Sequence, residues 1–394
     1  MAMKTSAQLL TLLLYVFTSS YLFAGTPICE PKQDGLFVHS LSREFLPREV
    51  LSRANILSNG VTPGGVENPN VSWTRDLFPL QTTDEQGRLV VIPYLSALSP
   101  DGAPFDGSHY IPVPLPADAP PNAKSFKFND KYHWLEVRSL PLLFEGGNVV
   151  ATEKFVFIGQ KVVEQNGRST RELRDHYLAQ GASVTAVNRL VSGLAKRGYT
   201  KRNKEQVIDE FAKAFGLGSN QIIVLPWMPG ERTGHVDMFL ATLDEQTIAL
   251  PYVPQWLIDR LDYDHERAYA QGVNEWLAVQ TKTIKDRTDG TLTVVRVPML
   301  PPKNLQSCSL SSLGWSANLL ATVNWILHED MAFVPIFKTH TLQNEPGAAE
   351  RFKDEIRSVL SHYGFQTQFV DCSRLLRHNG LLHCLTGRLK TPAN

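Results

Sequence analysis

The sequence predicts a mixed α/β fold. Short β-rich apolar runs alternate with amphipathic helical segments through the second half of the chain. Two glycines stand where a helix and a turn would need them, and no low-complexity linker interrupts the chain after its N-terminal stretch. No internal repeat is visible in the residues. These observations predict one domain over residues 25–394, preceded by a signal peptide over residues 1–24.

The elements follow in order. Lys4 is a short positive start, Leu9–Phe17 a short apolar core, and Ala24 or Gly25 a small residue suited to cleavage. The apolar stretch is shorter than the ~20 residues of a bilayer span and is interrupted at Thr18-Ser19-Ser20. The expectation is a secreted or periplasmic protein with no stable membrane insertion once the signal is removed. Ser52–Asp130 is rich in Gly, Pro and Asn and carries short runs such as Leu89-Val90-Val91-Ile92, which predicts loop-heavy β structure. Leu140–Phe144 and Lys154–Gly159 read as strands joined by a turn at Gly146-Gly147.

Thr170–Leu178 and Lys204–Phe215 have helical spacing. In the second, Val207, Ile208, Phe211, Ala214 and Phe215 share a face and Gly216 marks the stop. Gln221–Leu225 reads as a strand ended by Pro226, and Met238–Thr242 as another. Helices are predicted at Trp256–Asp262, His265–Lys285 and Ala348–His362, with strands at Thr291–Val297 and Met331–Pro335. The basic run Lys196–Lys204 reads as a solvated surface.

Composition narrows the function. The chain has 394 residues, 43% hydrophobic and 20% charged, which excludes a disordered chain. Lys+Arg and Asp+Glu are 39 each, so no global field points to a nucleic-acid partner. Four cysteines are too few for a disulfide framework; with Cys384 free, at most one pair can form among Cys29, Cys308 and Cys372. Neither His265-Glu266 nor His328-Glu329 has the second His of a zinc helix, and no phosphate loop or Gly-x-Ser-x-Gly appears. No cofactor and no metal are expected.

Four polar runs remain. Trp73-Thr74-Arg75-Asp76 sets an aromatic face beside a carboxylate, a receiver for a planar cation. Glu145-Gly146-Gly147-Asn148 flanks two glycines with polar side chains. Gly234-His235-Val236-Asp237 spaces a base and a carboxylate two apart, which on an extended strand would share a face. Cys384 follows His383 near the C-terminus and needs positive potential to act as a thiolate.

In order and identity the four runs resemble those of the guanidino-group-modifying enzymes: agmatine deiminases, protein-arginine deiminases and arginine deiminases. Trp73-x-Arg75-Asp76-x-x-Pro79 is similar to the agmatine deiminase run, with Phe78 where that family has Gly. Glu145-Gly-Gly-Asn148 and Gly234-His-Val-Asp237-x-Phe239 are closer to the protein-arginine deiminase forms. Ser316-Ala317-Asn318 and Asp371-Cys372 through His383-Cys384-x-Thr386 resemble the later segments.

The resemblance implies a pentein α/β propeller with five-fold pseudosymmetry and a central active site. Cys384 would be the nucleophile and His235 the general acid/base. Asp76 and Asp237 would grip the guanidinium. Trp73, Arg75, Glu145, Asn148 and Asn318 would line the substrate site, with Glu145 orienting His235. The implied reaction is hydrolysis of arginine in peptides or proteins to citrulline, with ammonia released through a covalent Cys thiouronium. Agmatine deimination to N-carbamoylputrescine and non-catalytic arginine binding are the alternatives.

Overall fold

The computed structural model describes residues 35–39, 46, 48–57, 81–83, 89–91, 123–128, 131–137, 140–303 apart from 180, 197 and 232, and then 318–338, 342, 346–373, 375 and 382–389. Residues 1–24, Cys29, Cys308 and the Trp73–Asp76 run lie outside them.

In chain order the first elements are β1 (Gly35–His39), α1 (Arg48–Arg53), β2 (Asn55–Leu57), β3 (Gln81–Thr83), β4 (Leu89–Val91), β5 (Ala123–Phe128) and β6 (Lys131–Val137). Next come β7 (Val149–Ala151), β8 (Val156–Gly159), α2 (Gln160–Asn166), α3 (Thr170–Ala179), α4 (Val184–Lys196), α5 (Lys204–Phe215) and β9 (Ile222–Leu225). They are followed by β10 (Ala241–Thr242), β11 (Thr247–Tyr252), α6 (Gln255–Ile258), α7 (Asp264–Arg287), β12 (Thr293–Pro298), β13 (Leu300–Lys303) and β14 (Asn318–Leu320). The last are β15 (Ile326–His328), β16 (Met331–Ile336), α8 (Ala348–His362), β17 (Gln366–Asp371) and β18 (Thr386–Leu389).

Five sheets obey one pairing rule. A middle strand runs antiparallel to one neighbour and parallel to the other: β7-β8-β9, β10-β11-β12 and β15-β16-β17. The β3-β4-β6-β5 sheet follows it with an added edge strand. In the fifth, β1 pairs parallel with β2 and antiparallel with β18, so the first and last described strands share a sheet. A parallel pair needs a crossover, and α2–α5, α6–α7 and α8 supply three of them.

Local chemistry explains the helices that the sequence predicts best. Asn203 accepts from the Gln206 backbone N–H while the Gln206 side chain accepts from the Asn203 N–H, both at 2.9 Å, a reciprocal cap on α5. Gly216 ends that helix at φ +61°, left-handed backbone that suits glycine. Val207, Phe211, Ala214 and Phe215 bury against Phe144 and Ile158. In α8, Phe352, Ile356 and Leu360 recur at four-residue spacing and enter the main core.

Two expectations need correction. The Gly146-Gly147 pair is not the hairpin turn. It lies in a 3-10 turn (Gly146–Asn148), and the hairpin follows at Thr152–Phe155, where the Thr152 Oγ1 accepts from the Phe155 N–H at 3.0 Å. Met238–Thr242 is not a continuous strand either, because Val236–Met238 forms another 3-10 turn and only Ala241–Thr242 pairs. Cys372, one of the three cysteines among which the sequence left a single pair open, is a buried free thiol. The basic run is exposed at Lys201 and Lys204, but Tyr199 within it is buried and donates to the Arg168 carbonyl at 3.0 Å.

Candidate active site

Two 3-10 turns meet here. Glu145 opens the first, ahead of β7, and His235 opens the second, ahead of β10. Asn148 stitches them together: its Oδ1 accepts from the Glu145 N–H at 2.7 Å and its Nδ2 donates to the Gly234 carbonyl at 3.0 Å. It is fully buried with both ends engaged, so Asn148 holds the two turns in register. Glu231 clamps the second turn, accepting from the N–H groups of Thr233, Gly234 and His235 at 2.7, 2.5 and 3.1 Å. That clamp, with Gly234 at φ +67°, bends the chain where an extended strand was expected.

The functional side chains then converge. His235 Nε2 donates to Glu145 Oε2 at 2.7 Å, and Lys161 Nζ reaches the same oxygen at 3.1 Å. His235 Nδ1 lies 3.9 Å from Asp237 Oδ1, and the ring hydrogen-bonds Cys384. Asp237 is 2% exposed; its Oδ2 accepts from His383 Nδ1 at 2.8 Å. The other oxygen, Oδ1, is buried with no hydrogen-bond partner among the described residues.

Cys384 lies in a 3-10 turn (His383–Leu385) just ahead of β18 and is 8% exposed. Asn324 orders this corner. Its Oδ1 accepts from the His383 N–H at 2.9 Å, and its Nδ2 donates to the Asp237 carbonyl at 3.2 Å and lies 3.8 Å from the Cys384 Sγ.

Electrostatics distinguish the two groups of the central pair. Burial pulls the His235 pKa down, but hydrogen bonds to Cys384 and Glu145, with the charges of Glu145 and Asp237, carry it well above 6.5. Burial raises the Glu145 pKa, yet the Lys161 charge and then His235 hold it down at about 2. The described side chains therefore hold an imidazolium against a carboxylate at neutral pH, with a thiol beside them. An acceptor, a proton donor and a nucleophile surround one point. A group with several N–H donors on a planar, electrophilic carbon would satisfy all three.

Glycine makes the approach possible. A Cβ on Gly147 would lie 2.3 Å from His235 Nδ1 and 2.8 Å from Asp237 Oδ1, and one on Gly159 would meet the Gly234 carbonyl at 2.4 Å. Gly147→Ala should displace His235 and Asp237 while leaving the sheets folded. The expected result is a loss of about 10²-fold in turnover, since ~1 Å of misplacement costs that much, with a native circular dichroism spectrum. Wild-type turnover in a folded variant would contradict the packing described.

Of the residues predicted from sequence, Glu145, Asn148, His235, Asp237 and Cys384 come together here. Trp73, Arg75 and Asp76 lie outside the described residues, as does the side chain of Asn318. Sequence reasoning missed Lys161, Glu231 and Asn324. It noted His383 only as a neighbour of Cys384.

No protein-family model matches the chain, and neither does any curated protein. Solved structures do. Agmatine deiminase from C. jejuni superposes with a TM-score of 0.56 at 16% identity, covering 94% of this chain and 97% of that one. A protein provisionally described as a peptidyl-arginine deiminase gives 0.55 at 13%, covering 94% and 99%. Agmatine deiminase from Enterococcus faecalis gives 0.53 at 10%, covering 93% and 96%. The chain shares their α/β fold along nearly its whole length.

Proposed function

We propose that this chain is a cysteine-dependent hydrolase that removes ammonia from a guanidinium group. The observation that carries the reading is the buried Asp237 Oδ1, without a hydrogen-bond partner among the described residues, 3.9 Å from the His235 ring that also meets Cys384. A lone buried acceptor costs about 1–3 kcal/mol, a cost that a charged N–H donor offsets on binding. The five like-paired sheets would then be five blades of a propeller around this point, with the strand ends and 3-10 turns facing its axis.

Chemistry follows from the geometry. Asp237 Oδ1, with Asp76 as its proposed counterpart, takes N–H groups of the cation and holds its plane over Cys384 Sγ. The thiolate, stabilised by His235 and the bound cation, adds to the guanidinium carbon and forms the C–S bond. The C–N bond breaks as His235 gives its proton to the nitrogen, which leaves as ammonia. Neutral His235 then takes a proton from water as the oxygen adds to the thiouronium carbon. Breaking of the C–S bond, as the added hydroxyl gives its remaining proton to solvent, releases a ureido product and restores the thiolate.

Agmatine is the better-supported substrate, since agmatine deiminases are among the full-length fold relatives. Arginine within peptides is the second reading. It rests on the Glu145–Asn148 and Gly234–Phe239 runs, and on the proposal that residues 1–24 export the protein. Incubation with agmatine, an internal-arginine peptide and free arginine, with assays for ammonia and ureido products, tests both. Turnover of agmatine alone supports the first reading and citrulline in the peptide the second. No ammonia from any of the three would refute deimination and leave an arginine-binding protein.

The pH dependence has a definite sign. Because the folded pKa of His235 is raised, the stability its charge contributes is full below about 6.5 and lost as pH rises through the higher folded value. Activity should therefore persist above pH 6.5 and fall on an alkaline limb. Glu145→Gln keeps an acceptor for the ring but removes the carboxylate charge that raises its pKa, so the limb should move to lower pH. An unmoved kcat/KM profile would show that Glu145 does not tune His235.

A further inference from the structure

We propose that Lys161 is a positioning residue that sets the strength of His235 as an acid by sharing the Glu145 carboxylate with it. The inference deepens the reading of His235 as the acid/base of the site and rests on it. Lys161 is the second residue of α2 and comes from neither of the two turns that build the site. Its Nζ lies 3.1 Å from Glu145 Oε2 and 3.3 Å from Oε1, while His235 Nε2 lies 2.7 Å from that same Oε2.

This is not a surface pair. The side chains of Lys161 and Glu145 are 16% and 7% exposed, so solvent screens them little. The fit is also specific. A Cβ on Gly234 would meet Lys161 Cβ at 2.5 Å and Cδ at 2.9 Å, so the lysine stem lies directly against the residue that precedes His235. Gly234 thus serves two ends: it bends the chain into the His235 turn and leaves room for the lysine.

The charges facing His235 come from every packed element. Glu145 precedes β7, Asp237 lies in the 3-10 turn that His235 opens and accepts from His383, Cys384 comes from the turn ahead of β18, and Glu231 holds the backbone N–H. From α3, Tyr177 and His176 lie close enough to feel the charges of Glu145 and Lys161 respectively. Glu145, Asp237, Glu231 and Cys384 as thiolate are all negative groups around His235, and Lys161 is the described cation that shares the Glu145 carboxylate with it. Without Lys161 the excess of negative charge rises by one, and His235 would hold its proton more tightly. A more tightly held proton makes a weaker acid for the departing ammonia.

Lys161→Met keeps the apolar stem against Gly234 and removes only the charge. Histidine NMR titration of the resting protein should then show the His235 transition raised by about 1 pH unit, with Lys161→Arg close to wild type. In turnover, Lys161→Met should lose about tenfold in kcat, with KM changed less, and its alkaline limb should move up. This is the opposite of the shift expected for Glu145→Gln. If the methionine variant does not fold, Lys161→Gln gives the same readout. An unmoved His235 titration in a folded variant overturns the proposal, whatever its activity. Because the titration needs no substrate, it stays decisive even if the protein proves not to be a deiminase.

Discussion

Cys384→Ala will abolish ammonia release, with a loss on the order of 10⁵-fold or more in kcat, the scale seen when a catalytic nucleophile is removed. The reason is specific to this corner. Sγ lies beside Asn324 Nδ2 and the His235 ring, and no other described cysteine is there, since Cys372 is buried elsewhere in the main core. The thiol of Cys372 is raised far above its ordinary value by burial, so it will not substitute. Losing one small side chain should cost only about 1 kcal/mol of stability. The variant should therefore fold and bind the guanidinium without converting it. Calorimetric binding with no product would support the assignment. A variant retaining more than a few per cent of turnover would remove Cys384 from the mechanism.

The second large effect is at Asp237. Asp237→Asn is nearly isosteric, and the amide oxygen can still accept from His383 Nδ1, as Oδ2 does now at 2.8 Å. That choice turns the NH₂ toward the position of Oδ1, so a donor faces the N–H groups of the substrate. Replacing a buried charged acceptor by a donor should cost about 3–5 kcal/mol of transition-state binding, roughly 10²–10⁴-fold in kcat/KM. Steady-state kinetics on the deiminated substrate, with His235 titration as a second readout, would check it. A drop confined below threefold would mean that the guanidinium is held elsewhere.

Much of the scaffold was legible because its signals are local. Lys204–Phe215 is helical to the residue, with its reciprocal cap and its terminal Gly216 written in adjacent positions. Ala348–His362 is equally direct, since four-residue spacing of Phe352, Ile356 and Leu360 needs no tertiary information. Val184–Lys196 was missed, although Val187, Leu190 and Leu194 bury from it. The 3-10 turn after His235 was misread as a strand because its cause is the Glu231 carboxylate gripping backbone N–H groups, a contact that no hydrophobic period encodes.

Site residues divided in the same way. Glu145, His235, Asp237 and Cys384 stand in short polar runs whose combined identities carry chemistry. Lys161 and Asn324 act from a helix start and a loop, where a lysine and an asparagine are ordinary. The Gly146-Gly147 pair was noticed for the wrong reason. Gly147 is needed for the space that His235 and Asp237 occupy, not for a hairpin. The shared pairing rule of the five sheets also had no trace in the residues, since it constrains strand direction and burial but not side-chain identity.

The sheet that joins β1 to β18 has a consequence for biosynthesis. Phe37 pairs with Gly387 and Val38 with Thr386, so the segment carrying Cys384 is anchored to a strand made at the opposite end of the chain. A nascent polypeptide could assemble the Glu145–His235 pair while still tethered to the ribosome, but its thiol would have no fixed place until the last strand emerged. Every truncated or still-threading copy would be chemically silent.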